Sequence, residues 1–311
     1  MLELPRAGMQ LSVERHNVEL DALCDWLEAS ALFDEEEPSR SEVVDILIEN
    51  TIYRRQDFAM EMVQNAWGEL ERRQSWAGRG AAIEVFGQRL RPLGAWQDWP
   101  AHSFCLALAC ARLYPDWRSQ FGPDYTQQGD LFESLTKESL ERILPGWRAH
   151  RTGWTPTRPI GLAAAAADVA SRLGEQLGDV GYWGSRGAHE EGLDILCYRS
   201  LEDDRVGTPA YMIQCASGTN WRDKLGTPDL NVWTTIVTFA SKPKRGFSMP
   251  FTLSNDRDFA RSCLRVDGML LDRNRLLAAG RIDPDWVSTR LTNLLIDWLG
   301  PRVNALPRMD R

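Results

Sequence analysis

Apolar residues recur at helical spacing through the first third of the chain. Three runs repeat at intervals of three and four residues and predict amphipathic helices: 18–27, 43–48 and 58–67. Ser39 or Ser41 is suited to cap the second helix, because carboxylates follow closely. The pattern predicts an N-terminal helical domain over residues 1–122, which we expect to mediate assembly or regulation.

The remainder, residues 123–311, changes from helical to strand periodicity. Helical patterns occupy 131–144 and about 160–178, the latter rich in alanine, and return at 256–264 and 284–299. The strand candidates are 192–201, 209–217, 233–241 and 247–254. The first two strands flank the hydrophilic segment EDDRVG and predict a β-hairpin. This order predicts a mixed α/β (α+β) fold whose central sheet is flanked by helices.

The overall composition is that of a folded protein without membrane segments. The chain has 311 residues, of which 43% are hydrophobic and 26% charged. Its longest apolar run, 101–114, is too short to span a bilayer, and the charged N-terminus is not a secretory signal. We therefore expect a cytoplasmic protein. The six cysteines form no C-x-x-C pair, which favours packing thiols over a zinc site.

Two polar residues interrupt the apolar strands of the predicted hairpin. Asp194 and Gln214 are each flanked by apolar residues, and a hairpin would bring their side chains close together. With Glu133 of the preceding helix, they would offer the oxygen ligands that Mg²⁺ or Mn²⁺ takes. The simpler alternatives are a solvated helix residue for Glu133, a turn or ion pair for Asp194 and an edge-strand amide for Gln214.

Three segments carry a family resemblance. They are GDLFE at 129–133, GLDIL at 192–196 and IQCASGTNWRDK at 213–224. Together they resemble the PD-(D/E)XK nuclease superfamily, and more closely its Mrr-type and anti-phage-defence branches, in which Gln replaces the second acidic residue. The resemblance covers roughly 125–275. It implies a restriction-endonuclease-like core in which Glu133 is the helical carboxylate, Asp194 the principal metal ligand and Gln214 the second-strand ligand.

The sequence departs from the family pattern at the catalytic lysine. That lysine usually stands two residues after the second-strand ligand, where this chain has Ala216. Lys224 is the nearest lysine that follows and is the candidate for a migrated electrostatic catalyst. Glu190 and Glu191 precede the aspartate strand, where a polar strand entry is preferred to a role in metal binding.

The resemblance implies a metal-dependent endonuclease that hydrolyses phosphodiester bonds of DNA rather than RNA, within a bacterial anti-phage defence or restriction system. The net charge of −8 is unusual for a protein that holds DNA alone, so a partner protein or a homo-oligomer is expected to contribute. A catalytically inactive relative that serves as a nucleic-acid-binding or scaffold subunit is the alternative. The chain contains no P-loop, G-x-S-x-G or H-E-x-x-H motif.

Overall fold

The apolar runs fold into helices and strands over residues 1–9, 18–122, 124–152, 161–180 and 192–309, which are the residues that the computed structural model describes. In chain order, the helices are α1 (Leu20–Phe33), α2 (Arg40–Glu49), α3 (Gln56–Ala77), α4 (Pro100–Leu113), α5 (Pro115–Ser119), α6 (Tyr125–Ile143), α7 (Leu162–Leu173), α8 (Leu230–Ile236), α9 (Asp256–Val266), α10 (Arg273–Leu277) and α11 (Thr289–Asn304). The strands are β1 (Ile83–Phe86), β2 (Arg89–Pro92), β3 (Arg148–Arg151), β4 (Gln176–Leu177), β5 (Ile195–Tyr198), β6 (Ala210–Cys215), β7 (Val237–Thr238), β8 (Lys244–Ser248) and β9 (Gly268–Leu271).

A mixed sheet of five strands organises the second half of the chain. Its strand order is β3-β5-β6-β8-β9. Neighbours among β3, β5 and β6 are antiparallel, whereas β8 is parallel to both β6 and β9. The predicted hairpin is confirmed as β5 and β6, with Ile195 opposite Ile213. Since helices flank this sheet, the predicted mixed α/β fold is confirmed as well.

Helices cover both faces of the sheet. On one face α6 contacts β3, β5 and β6. On the other, α7 and α8 form a buried apolar cluster with sheet residues such as Met212. Successive strand residues point to opposite faces, so Met212 faces α7 while Cys215 meets Thr136 of α6. The alanine-rich helix predicted at about 160–178 is α7, which ends at Gly174 with a left-handed φ of +67°.

One predicted strand is largely a helix. The pattern at 233–241 predicts a strand, but the structure has α8 followed by the two-residue strand β7, so the prediction was wrong. Asp229 caps α8, because its side chain accepts a hydrogen bond from the Asn231 amide at 2.8 Å. Trp233 and Ile236, three positions apart, then reach the same apolar cluster. Capping and packing therefore outweigh the β-branched composition.

The longest apolar run forms α4. Cys105 and Cys110 are fully buried there, and all six cysteines of the chain are free thiols. This matches the packing role expected for the two cysteines of the run. Within the part of the chain that the structure describes, none of the helices combines the length and the apolar character needed to span a lipid bilayer.

The chain divides into two compact units. Unit 1 comprises Met1–Asp124, Pro250–Ser254 and Arg273–Arg311, and unit 2 comprises Tyr125–Met249 and Asn255–Asp272. The predicted boundary after residue 122 lies next to the first passage from unit 1 to unit 2. The predicted second domain, 123–311, differs from unit 2, because α10 and α11 belong to unit 1. The local sequence pattern does not predict that the chain returns to unit 1 at Arg273.

Charged side chains form a buried network in unit 1. Arg73 of α3 and Arg273 of α10 both donate hydrogen bonds to Asp25 and Glu28 of α1, over N–O distances of 2.7 to 3.1 Å. All four residues are buried. Burial alone would raise the pKa of Asp25, but the positive charges of Arg273 and Arg73 hold it below its usual value. The mutual pairing offsets the cost of removing these charges from water.

His102 of α4 is buried in unit 1 as a neutral imidazole. Its Nδ1 accepts a hydrogen bond from the Ala82 amide at 2.8 Å, which requires an unprotonated nitrogen. Burial first, and then the positive charges of Arg273 and Arg73, lower the pKa of His102 to about 3. The folded protein therefore disfavours the protonated imidazole over the whole range in which a free histidine titrates.

Candidate functional site

The site lies in unit 2, where β5 begins and β6 ends. Asp194 directly precedes β5, and its backbone is held on both sides. Its amide donates to the Ile213 carbonyl at 3.0 Å, and its carbonyl accepts from the Thr152 amide at 2.8 Å. These bonds fix the Cα of Asp194 between β3 and β6, next to Gln214.

The side chains of Asp194 and Gln214 meet. Asp194 Oδ2 accepts hydrogen bonds from Gln214 Nε2 and, at 2.5 Å, from the backbone amide of Cys215. Asp194 is 6% exposed and Gln214 is 7% exposed. A carboxylate removed from water to this degree needs such donors. The hairpin register thus converts two polar residues that are distant in the sequence into one buried constellation.

Glu133 of α6 is bound by an arginine of β3, the strand next to β5. Arg151 of β3 places its Nε at 3.2 Å and its Nη2 at 3.0 Å from Glu133 Oε2. The same guanidinium donates to Asp130 at 2.5 Å and to the Ser134 hydroxyl at 2.8 Å. Burial would lower the pKa of Arg151, but the hydrogen bonds and charges of Asp130 and Glu133 raise it, so the guanidinium stays charged.

The thiol of Cys215 lies within the electrostatic reach of both carboxylates. Removal from water first, and then the negative charges of Asp194 and Glu133, raise the pKa of this thiol well above its usual value. A hydrogen bond with Thr136 acts in the opposite direction. Glu133 and Asp194 therefore both act on the Cys215 thiol at the end of β6, although they belong to different elements.

Ala216 stands at the usual lysine position, and Lys224 lies on the turn that follows β6. Ala216 is 2% exposed, and its amide donates to the Ser248 carbonyl at 2.8 Å. Lys224 closes a short 3-10 turn after β6, with an exposed side chain. Its link to the site runs through the main chain: the Lys224 carbonyl accepts from Thr227 Oγ1 at 2.6 Å, and the same hydroxyl lies 3.2 Å from Gln214 Oε1.

Comparisons with models of protein families, with curated proteins and with solved structures find no match to the chain. The resemblance to the PD-(D/E)XK superfamily therefore stays a prediction, and the function must be argued from the site itself. Glu190 and Glu191, which the sequence places before β5, lie outside the described residues.

The oxygen atoms around Gln214 are of the type that could hold a hard divalent cation after a rotation of its carboxamide. Among the described residues, no group of three or more histidine, cysteine, aspartate or glutamate side chains is arranged to hold a metal ion. However, Gln214 Nε2 donates both to Asp194 Oδ2 and, at 3.1 Å, to the Cys215 carbonyl. A half-turn of the carboxamide would place Oε1 beside those two oxygens and complete a set of three. Mg²⁺ and Mn²⁺ prefer oxygen donors of this kind.

Sequence reasoning found part of this set and missed the rest. The patterns pointed to Asp194, Gln214 and Glu133 because these residues are polar within apolar runs. They did not reveal Arg151, whose pairing joins distant segments, or the Cys215 carbonyl, since every residue carries one.

Proposed function

We propose that unit 2 is a metal-dependent nuclease domain that hydrolyses phosphodiester bonds of DNA in the cytoplasm, as part of a bacterial anti-phage defence or restriction system. The observation that carries the proposal is the convergence of Asp194, Gln214 and the Cys215 carbonyl at the end of β6. A buried carboxylate among oxygen atoms is costly without a cation or donors, and it is the arrangement that phosphoryl-transfer sites use.

Each residue has a distinct task in this proposal. Asp194 and Gln214 hold the cation, together with the carbonyl of Cys215. Glu133 orients water on the α6 side, and Arg151 holds that carboxylate in place. Lys224 is the candidate electrostatic partner of the substrate phosphate. Bound Mg²⁺ or Mn²⁺ would supply Lewis acidity and an activated water molecule.

Local basic residues support DNA as the substrate despite the net charge of −8. Arg222 and Lys224 are both exposed in the turn that follows β6, in the segment that reaches Gln214 through Thr227. Phosphate contacts of this kind position a nucleic acid without reading its sequence. Two such residues neutralise few phosphates, so we propose that a partner protein or a second copy of the chain adds to the grip.

A second candidate function has its own support. The Arg151 guanidinium already neutralises Glu133, and Ala216 occupies the position at which a catalytic lysine is expected. Both features suit a nuclease-fold subunit that binds nucleic acid as a scaffold without cleaving it. Under this alternative, Arg151 serves as the permanent counter-charge of the acidic residues.

One experiment separates the two candidates. Plasmid and linear DNA are incubated with Mg²⁺ or Mn²⁺ and the wild-type protein, Asp194→Asn, Lys224→Gln or the surface control Asp203→Asn. Cleavage by the wild type and by Asp203→Asn, with loss in Asp194→Asn, supports the nuclease. If the wild type binds DNA but neither cleaves it nor binds Mn²⁺, the scaffold is supported. If the wild type neither binds nor cleaves DNA, both candidate functions are contradicted.

A further inference from the structure

We propose that Thr227 is a positioning residue that sets which end of the Gln214 carboxamide faces Asp194, so that cation binding turns this amide over. The proposal rests on the cation site of the proposed function and adds a residue to it. It concerns the segment that follows β6, from the Lys224 carbonyl to Thr227.

The hydroxyl of Thr227 has two acceptors but only one proton. It lies 2.6 Å from the Lys224 carbonyl and 3.2 Å from Gln214 Oε1. A hydroxyl group donates one hydrogen bond and accepts through its lone pairs. The shorter contact takes the proton, so Gln214 Oε1 faces the lone pairs of another oxygen.

The opposite end of the Gln214 carboxamide is well satisfied without a cation. Its Nε2 donates to Asp194 and to the Cys215 carbonyl. Hydrogen bonds at the Asp194 end therefore hold the amide in this orientation. At the other end, Gln214 Oε1 faces the Thr227 oxygen without a proton between them. A divalent cation would reverse this balance, because Nε2 would repel it and Oε1 would coordinate it.

After a half-turn, Thr227 becomes a matched partner. Its Oγ1 still donates to the Lys224 carbonyl and now accepts a hydrogen bond from Gln214 Nε2. Gln214 is only 7% exposed, so water is a poor substitute for that acceptor. Thr227 thus stabilises the cation-binding orientation specifically, as hydrogen-bonded neighbours of metal ligands commonly do.

Gly192 leaves room for this pair. Its φ is +73°, and a Cβ at this position would stand 2.9 Å from Gln214 Oε1 and 3.1 Å from the Thr227 Cβ. Any larger residue would be strained by the positive φ and would press on both side chains. The chain therefore keeps a gap at the point where the carboxamide must rotate.

The test compares Mn²⁺ binding by variants that differ in one hydroxyl or methyl group. Thr227→Val removes the hydroxyl while preserving the shape, and Thr227→Ser keeps the hydroxyl. Thr235→Val is a matched control, because Thr235 Oγ1 also donates to a carbonyl three residues earlier, at 2.6 Å, but from an exposed position on α8. Calorimetric titration should give at least a tenfold weaker affinity for Thr227→Val and less than a twofold change for the other two.

A second measurement follows the carboxamide directly. The ¹⁵N side-chain amide signal of Gln214, assigned by its absence in Gln214→Met, should shift when Mg²⁺ is added to the wild type. In Thr227→Val the shift should require roughly tenfold more Mg²⁺. Equal Mn²⁺ affinity of Thr227→Val and the wild type overturns the role of Thr227 and leaves the cation site intact. Absence of Mn²⁺ binding by the wild type overturns the cation site itself.

Discussion

Arg151 binds Glu133 through two nitrogen atoms, Nε at 3.2 Å and Nη2 at 3.0 Å from the same carboxylate oxygen. The pair joins α6 to β3 and places a fixed positive charge beside the acidic end of the site. A cation entering between Asp194 and Gln214 would meet that charge. If the proposed cation site exists, Arg151 would therefore compete with the divalent ion.

We predict that Arg151→Gln binds Mn²⁺ about two- to fivefold more tightly than the wild type. The substitution removes a positive charge and releases Glu133 from a partly exposed ion pair worth about 0.3–1 kcal/mol. Calorimetry measures the affinity. Arg172→Gln serves as the control, because Arg172 pairs with Asp168 on α7. Unchanged or weaker binding in Arg151→Gln would contradict the competition.

The buried network of unit 1 predicts a large loss of stability on removal of one charge. Arg273→Met leaves Asp25 and Glu28 with a single buried counter-charge and should lower the free energy of unfolding by about 3–5 kcal/mol. The control Asp57→Asn breaks an ion pair with Arg55, in which both side chains are more than half exposed, and should leave the free energy of unfolding nearly unchanged. Urea unfolding followed by tryptophan fluorescence gives both values. Similar losses in the two variants would refute the network's importance.

His102 predicts a pH dependence of stability. Below about pH 6.5 the unfolded chain binds a proton at this residue, while the folded chain excludes it until about pH 3. Stability should therefore fall as the pH is lowered through this window, by about 1.4 kcal/mol per unit. In His102→Asn that part of the slope should disappear. An identical slope in both proteins, measured by urea unfolding from pH 7 to 4, would show that other groups cause it.

Ser39, rather than Ser41, caps α2, and its removal should have a smaller effect on stability. Ser39 Oγ accepts from the Glu42 amide at 3.3 Å, and Glu42 Oε2 accepts from the Ser39 amide at 2.7 Å. Ser39→Ala should lower the free energy of unfolding by about 1 kcal/mol, and Ser41→Ala by less than half of that. The same urea experiment applies. A larger loss in Ser41→Ala would be the contrary result.

Local patterns predicted the elements that short-range physics decides. The hairpin of β5 and β6 was predictable because apolar strands flank a hydrophilic loop, and α7 because its alanines end at Gly174. The segment at 233–241 was predicted incorrectly. Its threonines and aromatic residues suit a strand, but the Asp229 cap and the neighbours of Trp233 favour a helix. Periodicity over nine residues does not register either influence.

The missed parts of the site depend on contacts between distant residues. Glu133 and Arg151 are 18 positions apart, and the pair forms only because β3 lies beside α6. Thr227 reaches Gln214 through a turn whose path no periodicity describes. Asp194 and Gln214 were found because polarity inside an apolar strand is itself a local signal. Their partners are ordinary residues in ordinary sequence surroundings.

The division of the chain into interleaved segments has a genetic consequence. The backbone passes between the units after Asp124, Met249, Ser254 and Asp272, so neither unit is encoded by one uninterrupted stretch. A fragment that ends after residue 122 would carry Asp25 and Glu28 without Arg273. Recombination at a single breakpoint between residues 73 and 273 would likewise separate those carboxylates from Arg273. Either unit can therefore be separated or exchanged only by breaking the chain at more than one point.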